Sequence, residues 1–424
     1  MIWLWACGGS LRNAPLADDT RAPSEQRPDD VERDTAAEGV HGPGDDTAPR
    51  PELLCELALS CSSDIPDEPE VPCWFTVTDG YGDLEYDGWA GVELRGRSSL
   101  NAPKHQYGVE LWADEAGFEK APANLGGMGQ ESDWVLNGAY YDRSLFRNVL
   151  AFDLFADMGH YAPEVRYCEL TLDDEPLGIY HLVERVKRDD DRLDLADETG
   201  TGEHFVLYLD DEGGFANAQG YGYWSFISPH AASLPPGTSD AVQSWLEAWQ
   251  ANYQSGGAGL AWLDLDSTVD LVLLEELAKN NDAYYLSLYL WRDGGAMHWV
   301  PWDLDLSMGQ PSYNDNENPE TWIAYRPSFI AALGTSQEFR TAMRLRWDEL
   351  RAGPLADDAV QAHIDDYLAV MEPGLASNWA IWDITTIQFS GYLYEVGSYE
   401  EEVERVRTFL EARMAWMDGA IETW

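Results

Sequence analysis

Three aspartates within residues 279–309 (KNNDAYYLSLYLWRDGGAMHWVPWDLDLSMG) are of a type and spacing that can converge: Asp282, Asp303 and Asp305. Asp282 follows an amphipathic helix predicted over 268–280, and Asp303 and Asp305 follow a predicted strand. Between them lie two apolar runs, 286–291 and 297–302, around Asp293-Gly294-Gly295. That composition predicts a β-hairpin. Closing it brings the residues before its first strand beside those after its second. Carboxylates at such range repel unless a cation sits among them. Mg²⁺, a hard ion that takes oxygen ligands and keeps several waters, meets that need. The alternative is a surface turn with solvated acids. Pro301, Trp302 and Leu304 argue against it, because a solvated turn seldom carries them.

A second element of possible chemistry is Arg95-Gly96-Arg97-Ser98-Ser99-Leu100-Asn101-Ala102-Pro103-Lys104, between strands predicted at 89–94 and 107–112. It is the most basic patch of the chain. Arg97, Ser98, Ser99 and the backbone N–H groups of such a loop can meet phosphate oxygens. The bland reading is a turn whose arginines pair with neighbouring acids. Acids are abundant: 77 Asp and Glu face 26 Lys and Arg in 424 residues, for a formal net charge of −51. Nucleic acid and anionic lipid both require a basic surface, so neither is an expected partner. Only four lysines occur, at 104, 120, 187 and 279. A cation-dependent site here must bring its own positive residues, which singles out Lys104.

The elements that position these residues can be read along the chain. MIWLWACGGS at the start has the look of a bacterial lipoprotein cleavage site with Cys7 as the lipidated residue, although a basic segment and a full apolar stretch are missing before it. Residues 11–50 contain no aromatic and are crowded with Pro and charge, the composition of a disordered tether. Apart from this possible lipid anchor, no stretch approaches the ~20 apolar residues of a membrane span. A globular part is expected over 51–424. Cys55, Cys61, Cys73 and Cys168 allow two disulfides in an exported protein, Cys55 with Cys61 or Cys73 being preferred and Cys168 being either paired or plain core.

Short strands are predicted at 73–77, 133–137, 166–172, 178–186 and 205–209, and a helix capped by Ser144 carries Arg147 and Asn148 as candidates for buried polar contacts. Residues 211–236 read as a long loop. Helices are predicted at 239–253, 336–350, 356–371 and 399–417. Strands first and helices later predict an α+β fold of two lobes.

Three segments together resemble the spore-coat protein H (CotH) kinase family of atypical protein kinases. RGRSSLNAPKHQYGVEL is similar to its Arg-Gly-x-Ser-Ser…Pro-Lys element. YYDRSLFRNVLAFDLFADMGHYAPEVRYCELTLDDEPLGIYHLVERV is similar to its Leu-x-Arg-Asn helix and Gly-x-Tyr-x-Leu-x-Glu strand. NNDAYYLSLYLWRDGGAMHWVPWDLD ends in its Pro-Trp-Asp-x-Asp. The likeness is best over 91–309 and leaves out the tether and the C-terminal helices. It implies a distorted, two-lobed protein-kinase-like fold with a β-rich first lobe and a mostly helical second. The implied activity is transfer of the ATP γ-phosphoryl group to hydroxyls of secreted or surface proteins, with Mg²⁺ or Mn²⁺. Residue by residue, it implies that Lys104 meets the nucleotide phosphates, Glu184 is its ion-pair partner, Asp282 is the catalytic aspartate, and Asp303 with Asp305 binds metal. The family often places Asn five residues after the catalytic Asp; here Ser287 stands there, a poorer metal ligand.

Two other functions remain open at this stage. A kinase-like scaffold without turnover, acting as an adhesin or matrix protein at the cell surface or in the periplasm, suits Ser287 and the acidity. A glycosidase is disfavoured, since its two carboxylates must flank a bond at ~5–9 Å rather than sit two residues apart on one strand end.

Overall fold

A computed structural model describes residues 52–211, 213–216, 222–280, 282–311, 316–323, 326–387 and 395–424. The Cys7 signal and the tether over 11–50 lie outside the described residues, as does the Ser98 side chain. Among the described residues no helix is long and apolar enough to cross a membrane.

Alternating burial builds the first part. In β1 (Cys55–Cys61) every second residue, Cys55, Leu57 and Leu59, turns inward, and β2 (Val71–Thr78) buries Cys73, Phe75 and Val77 in the same way. With β3 (Leu84–Arg95), β4 (Gln106–Trp112), β7 (Asp133–Asn137), β8 (Val165–Leu172) and β9 (Glu175–Glu184) they close a barrel in the order β1-β2-β3-β4-β7-β9-β8. The seam is the parallel pairing of β1 with β8. Two short strands, β5 (Ala123–Asn124) and β6 (Gln130–Glu131), form a separate ladder. The inward residues make one core. The outer face of β9 carries Ile179 and Val183 into a second, larger core, so β9 is buried on both sides.

That larger core contains a five-stranded sheet in the order β11 (Phe215–Ala216), β12 (Tyr223–Ser228), β10 (His204–Asp210), β13 (Leu288–Asp293), β14 (Met297–Pro301). The hairpin expected from Asp293-Gly294-Gly295 is β13–β14, in register from Arg292–Met297 to Leu288–Pro301. Residues 211–236, read as loop, contain β11 and β12: β12 pairs with β10 on one side and with the short edge strand β11 on the other. The helices are α1 (Arg147–Asp157), α2 (Thr238–Gln254), α3 (Leu265–Ala278), α4 (Ser328–Leu333), α5 (Gln337–Arg351), α6 (Asp357–Ile381) and α7 (Tyr399–Ala420). Helix α3 is not the amphipathic helix its sequence suggests. All but its first two residues are buried, and α1, α5, α7 and β14 surround it. The class is mixed α+β, as expected, with a closed barrel as its N-terminal part.

The disulfides differ from the preferred pairing: they join Cys55 to Cys168 and Cys61 to Cys73. Strand β1, which the sequence hides as a short polar segment, explains both. It lies between β2 and β8, with Cys61 opposite Cys73 in one ladder and Cys55 opposite Cys168 in the other. Cys55–Cys168 spans 113 residues and staples the barrel seam. Replacing Cys168 by Ala should cost about 2–5 kcal/mol in a urea unfolding titration; an unchanged midpoint would mean that the seam holds without it.

Candidate functional site

The acidic stretch begins where α3 ends. Lys279 closes the helix in a left-handed conformation, and its Nζ is held by Asn318 O (2.6 Å) and Thr321 Oγ1 (2.8 Å). Asn280 Oδ1 then accepts the Asp282 N–H (3.2 Å), and Asp282 O accepts the Tyr285 N–H (3.1 Å). The β13–β14 ladder closes at Leu288–Pro301, so Ser287 and Asp303 emerge at the same end. Ser287 Oγ points to Asp303 Oδ2 at 3.4 Å, while its N–H is held by Leu209 O (2.8 Å). Five non-glycine residues here, Lys279, Tyr284, Ser287, Asp303 and Met308, have positive φ. Side chains avoid that region, and such strain gathers where surroundings hold a functional geometry.

The three aspartates lie within electrostatic reach of one another. Burial first, then Asp282 and Asp210, pushes the Asp303 carboxyl up to about 6, against the opposing pull of Arg95 and Ser287. Burial also drives Asp305 well above the usual range, reinforced by Asp303, Asp142 and Asp282 and opposed by Arg147. Asp142 and Asp210 thus join the cluster. The sequence reading missed both, because each stands in a different element 70 or more residues from Asp282.

Helix α1 braces the Asp303–Ser307 turn. Arg147, wholly buried, donates to Ser307 O (2.9 Å), Asp142 Oδ1 (2.6 Å) and Glu402 Oε1 (2.7 Å). Asn148 Oδ1 accepts the Leu304 N–H. The expectation of buried polar contacts at Arg147 and Asn148 therefore holds. The helix itself starts later than Ser144: Leu145 takes a positive φ, and the first N–H, of Arg147, is capped by Asp142 Oδ2 at 2.8 Å.

The basic loop reaches the same place from the barrel. Gly96 has φ +106, and a Cβ there would strike the Ser99 side chain, so the turn needs glycine. Leu100 N–H and Ala102 N–H are spent inside the loop on Arg97 O and Ser99 O. Arg97 pairs with Asp211 at 2.5 Å, next to Asp210 at the end of β10. Arg95 lies closer in. Its guanidinium is 5.2 Å from the centroid of Trp302, and its charge acts on Asp303 and on the Tyr289 hydroxyl.

Lys104 and Glu184 do not form the expected ion pair. Lys104 Nζ donates to Ile179 O (2.5 Å) and Asn378 Oδ1 (3.1 Å) and lies 4.9 Å from the Tyr180 ring. Glu184 accepts the Glu164 N–H (3.0 Å) and meets Arg192 at 3.5 Å. Ile179 and Glu184 are five residues apart on β9, roughly 16 Å at ~3.3 Å per residue, so Lys104 meets the middle of the strand while Glu184 ends it. Burial pulls the Lys104 amine down to about 7 and pushes the Glu184 carboxyl up to about 7.

The family model for CotH kinase protein matches residues 92–417. The chain belongs to the CotH family. The match takes in the basic loop, α1, the acid cluster and, beyond the 91–309 stretch where the likeness was read, the helices α5 and α6 and most of α7. Glu402 of α7, holding Arg147, shows why that part belongs to the unit. No curated protein matches this CotH chain. CotH membership carries a kinase-like character and the general use of ATP and a divalent metal. Among the described residues, no group of three or more His, Cys, Asp or Glu is arranged to hold an ion alone. Asp303 and Asp305, whose carboxyls burial and neighbouring acids hold above the usual range, fit instead an ion such as Mg²⁺ that completes its shell with phosphate and water oxygens.

Proposed function

We propose that this CotH protein is an exported atypical protein kinase that transfers the ATP γ-phosphoryl group to hydroxyls of secreted or surface proteins. One observation carries the reading: the root of the basic loop, Arg95, comes to rest beside Asp303, where the acids of the β13–β14 hairpin gather. Positive loop and repelling carboxylates facing each other are what a triphosphate and its metal require. In this reading the barrel and the sheet with its helices act as the two lobes of a distorted kinase-like fold.

Asp303 and Asp305 would hold the divalent ion, which supplies charge neutralisation on the phosphates when bound. Asp282 takes the proton from the acceptor hydroxyl as its oxygen bonds to the γ-phosphorus; the bond to the β–γ bridging oxygen breaks and ADP leaves. Arg147 and Asn148 keep the Asp303–Ser307 turn in place. Lys104, tied to the nucleotide phosphates by the family resemblance, would have to leave Ile179 O and Asn378 to reach them. Two disulfides suit an oxidising compartment, which supports export, and lipidation at Cys7 would anchor the protein to a bacterial membrane.

A second reading, a scaffold with little or no turnover, is favoured by Ser287. Its hydroxyl points to Asp303 and cannot offer the amide oxygen that a second metal would use. Purified protein with Mg²⁺ and γ-labelled ATP separates the two. Incorporation into itself or a dephosphorylated acceptor protein is expected, with a loss of about 10²–10⁴-fold in Asp282→Asn. No incorporation, or equal incorporation by the variant, sets the kinase assignment aside.

A further inference from the structure

We infer that the cation meeting the nucleotide phosphates in this protein is the Arg95 guanidinium, an inference that rests on the kinase reading above. Arg95 is the last residue of β3, paired with Gln106 on β4, so the barrel fixes its backbone. Its side chain lies over Trp302, which is itself wedged by stacking on Phe152 (5.6 Å) and edge contact with Tyr289 (5.7 Å). A guanidinium on an indole face keeps its plane while its edge stays available for hydrogen bonds. Of its five N–H donors, the single oxygen of Tyr289, whose hydroxyl feels the Arg95 charge, can take only part. Both described partners are uncharged, and Asp303 stands alongside. That edge suits bidentate contact with a phosphate group whose metal is held by the same aspartate.

Arg185, whose charge also reaches Tyr289, pairs with Asp133 at 3.8 Å, and the other cations near the cluster have partners of their own. Arg147 is enclosed by Asp142, Glu402 and Ser307 O. Arg97 is bound to Asp211. Lys104 is enclosed by Ile179 O, Asn378 and Tyr180, without a carboxylate in contact among the described residues. Burial also leaves its amine only partly charged near neutral pH. A triphosphate entering among Asp282, Asp303, Asp305 and Asp210 needs a cation besides its metal, and Arg95 is the one placed to provide it.

The test is calorimetric titration of the full chain with Mg-ATP, alongside Arg95→Met, Arg95→Lys, Lys104→Met and Asp303→Ala. Arg95→Met is expected to weaken binding by about 10- to 100-fold, the loss of a charge-assisted contact, and by more than Lys104→Met. Arg95→Lys keeps the charge without the planar fork and should fall between. Wild-type binding that survives in Arg95→Met while Lys104→Met loses it overturns the inference alone and returns the phosphates to Lys104. Should Arg95→Met fail to fold, an unchanged affinity in Arg95→Lys overturns it equally. A wild-type chain that binds no Mg-ATP, or binds it as well after Asp303→Ala, overturns the kinase reading together with the inference.

Discussion

Asp303→Asn should abolish phosphoryl transfer, by about 10³-fold or more as expected for removing a group that stabilises transition-state charge, while making the metal-free protein more stable at neutral pH. The two effects have one cause. In the folded chain the Asp303 carboxyl is raised to about 6 by burial, Asp282 and Asp210, with Arg95 and Ser287 only partly offsetting them. A folded value above the unfolded one means that the folded state holds its proton longer. The contribution to stability is complete below about pH 4 and is lost as pH rises through about 6. Above that, an ionised Asp303 costs up to roughly 3 kcal/mol, and Asp305, raised for the same reason, acts with the same sign. Asparagine removes the charge and with it the cost. Mg²⁺ does the same for the wild type, so it should raise the melting temperature at pH 7.5 and have little effect at pH 5. Thermal melts of both proteins at the two pH values, with and without Mg²⁺, measure this. Parallel pH profiles, with no response to Mg²⁺ in either protein, would detach Asp303 from any metal.

The largest structural loss should follow Arg147→Met, about 3–5 kcal/mol, as expected when one partner of a buried ion pair is removed. Arg147 and Glu402 are inaccessible to solvent and Asp142 is nearly so, and the guanidinium bridges both carboxylates at 2.6 and 2.7 Å. Methionine fills similar space but leaves Asp142 without its cation. The same change frees Ser307 O, so transfer should fall even where the variant remains folded. Urea unfolding with an unchanged slope would report the stability term. Arg344→Ala is the control. Its pair with Glu422 is exposed, 40% and 66% for the two side chains, and its loss should cost no more than about 1 kcal/mol. Equal effects of the two variants would mean that the buried network does not hold α1 to the acid turn.

The parts of the site that could be read in advance are those whose signal is local. Asp293-Gly294-Gly295 between two apolar runs is a hairpin by turn chemistry alone, and a hairpin delivers Ser287 and Asp303 to one end. Arg147 and Asn148 could be named as candidates for buried polar contacts, with exposure fitting them equally, and both are buried. Arg95 was inside the loop singled out for phosphate, yet nothing local distinguished it from Arg97. Only its placement over Trp302, more than 200 residues on, separates the two. Lys104 does not meet Glu184 for the converse reason. Its partner Asn378 is 274 residues away on α6, and a lysine's sequence neighbours do not say which end of a strand its amine will meet.

By itself the amino-acid order determined the family motifs, the mixed α+β class, the hairpin with its aspartates, and the strong excess of acids. These depend on composition, on periods of two and 3.6 residues, and on turns of a few residues. Only tertiary structure decided that β1 pairs with both β2 and β8, and hence which cysteines join. It alone brought Asp142 and Asp210 to the acid cluster, set Arg95 near Asp303, and held Lys104 at the middle of β9, away from Glu184 at its end. The reason is physical: a side chain's charge and partners are set by what packs around it in space, and in this chain those neighbours come from strands and helices up to several hundred residues away.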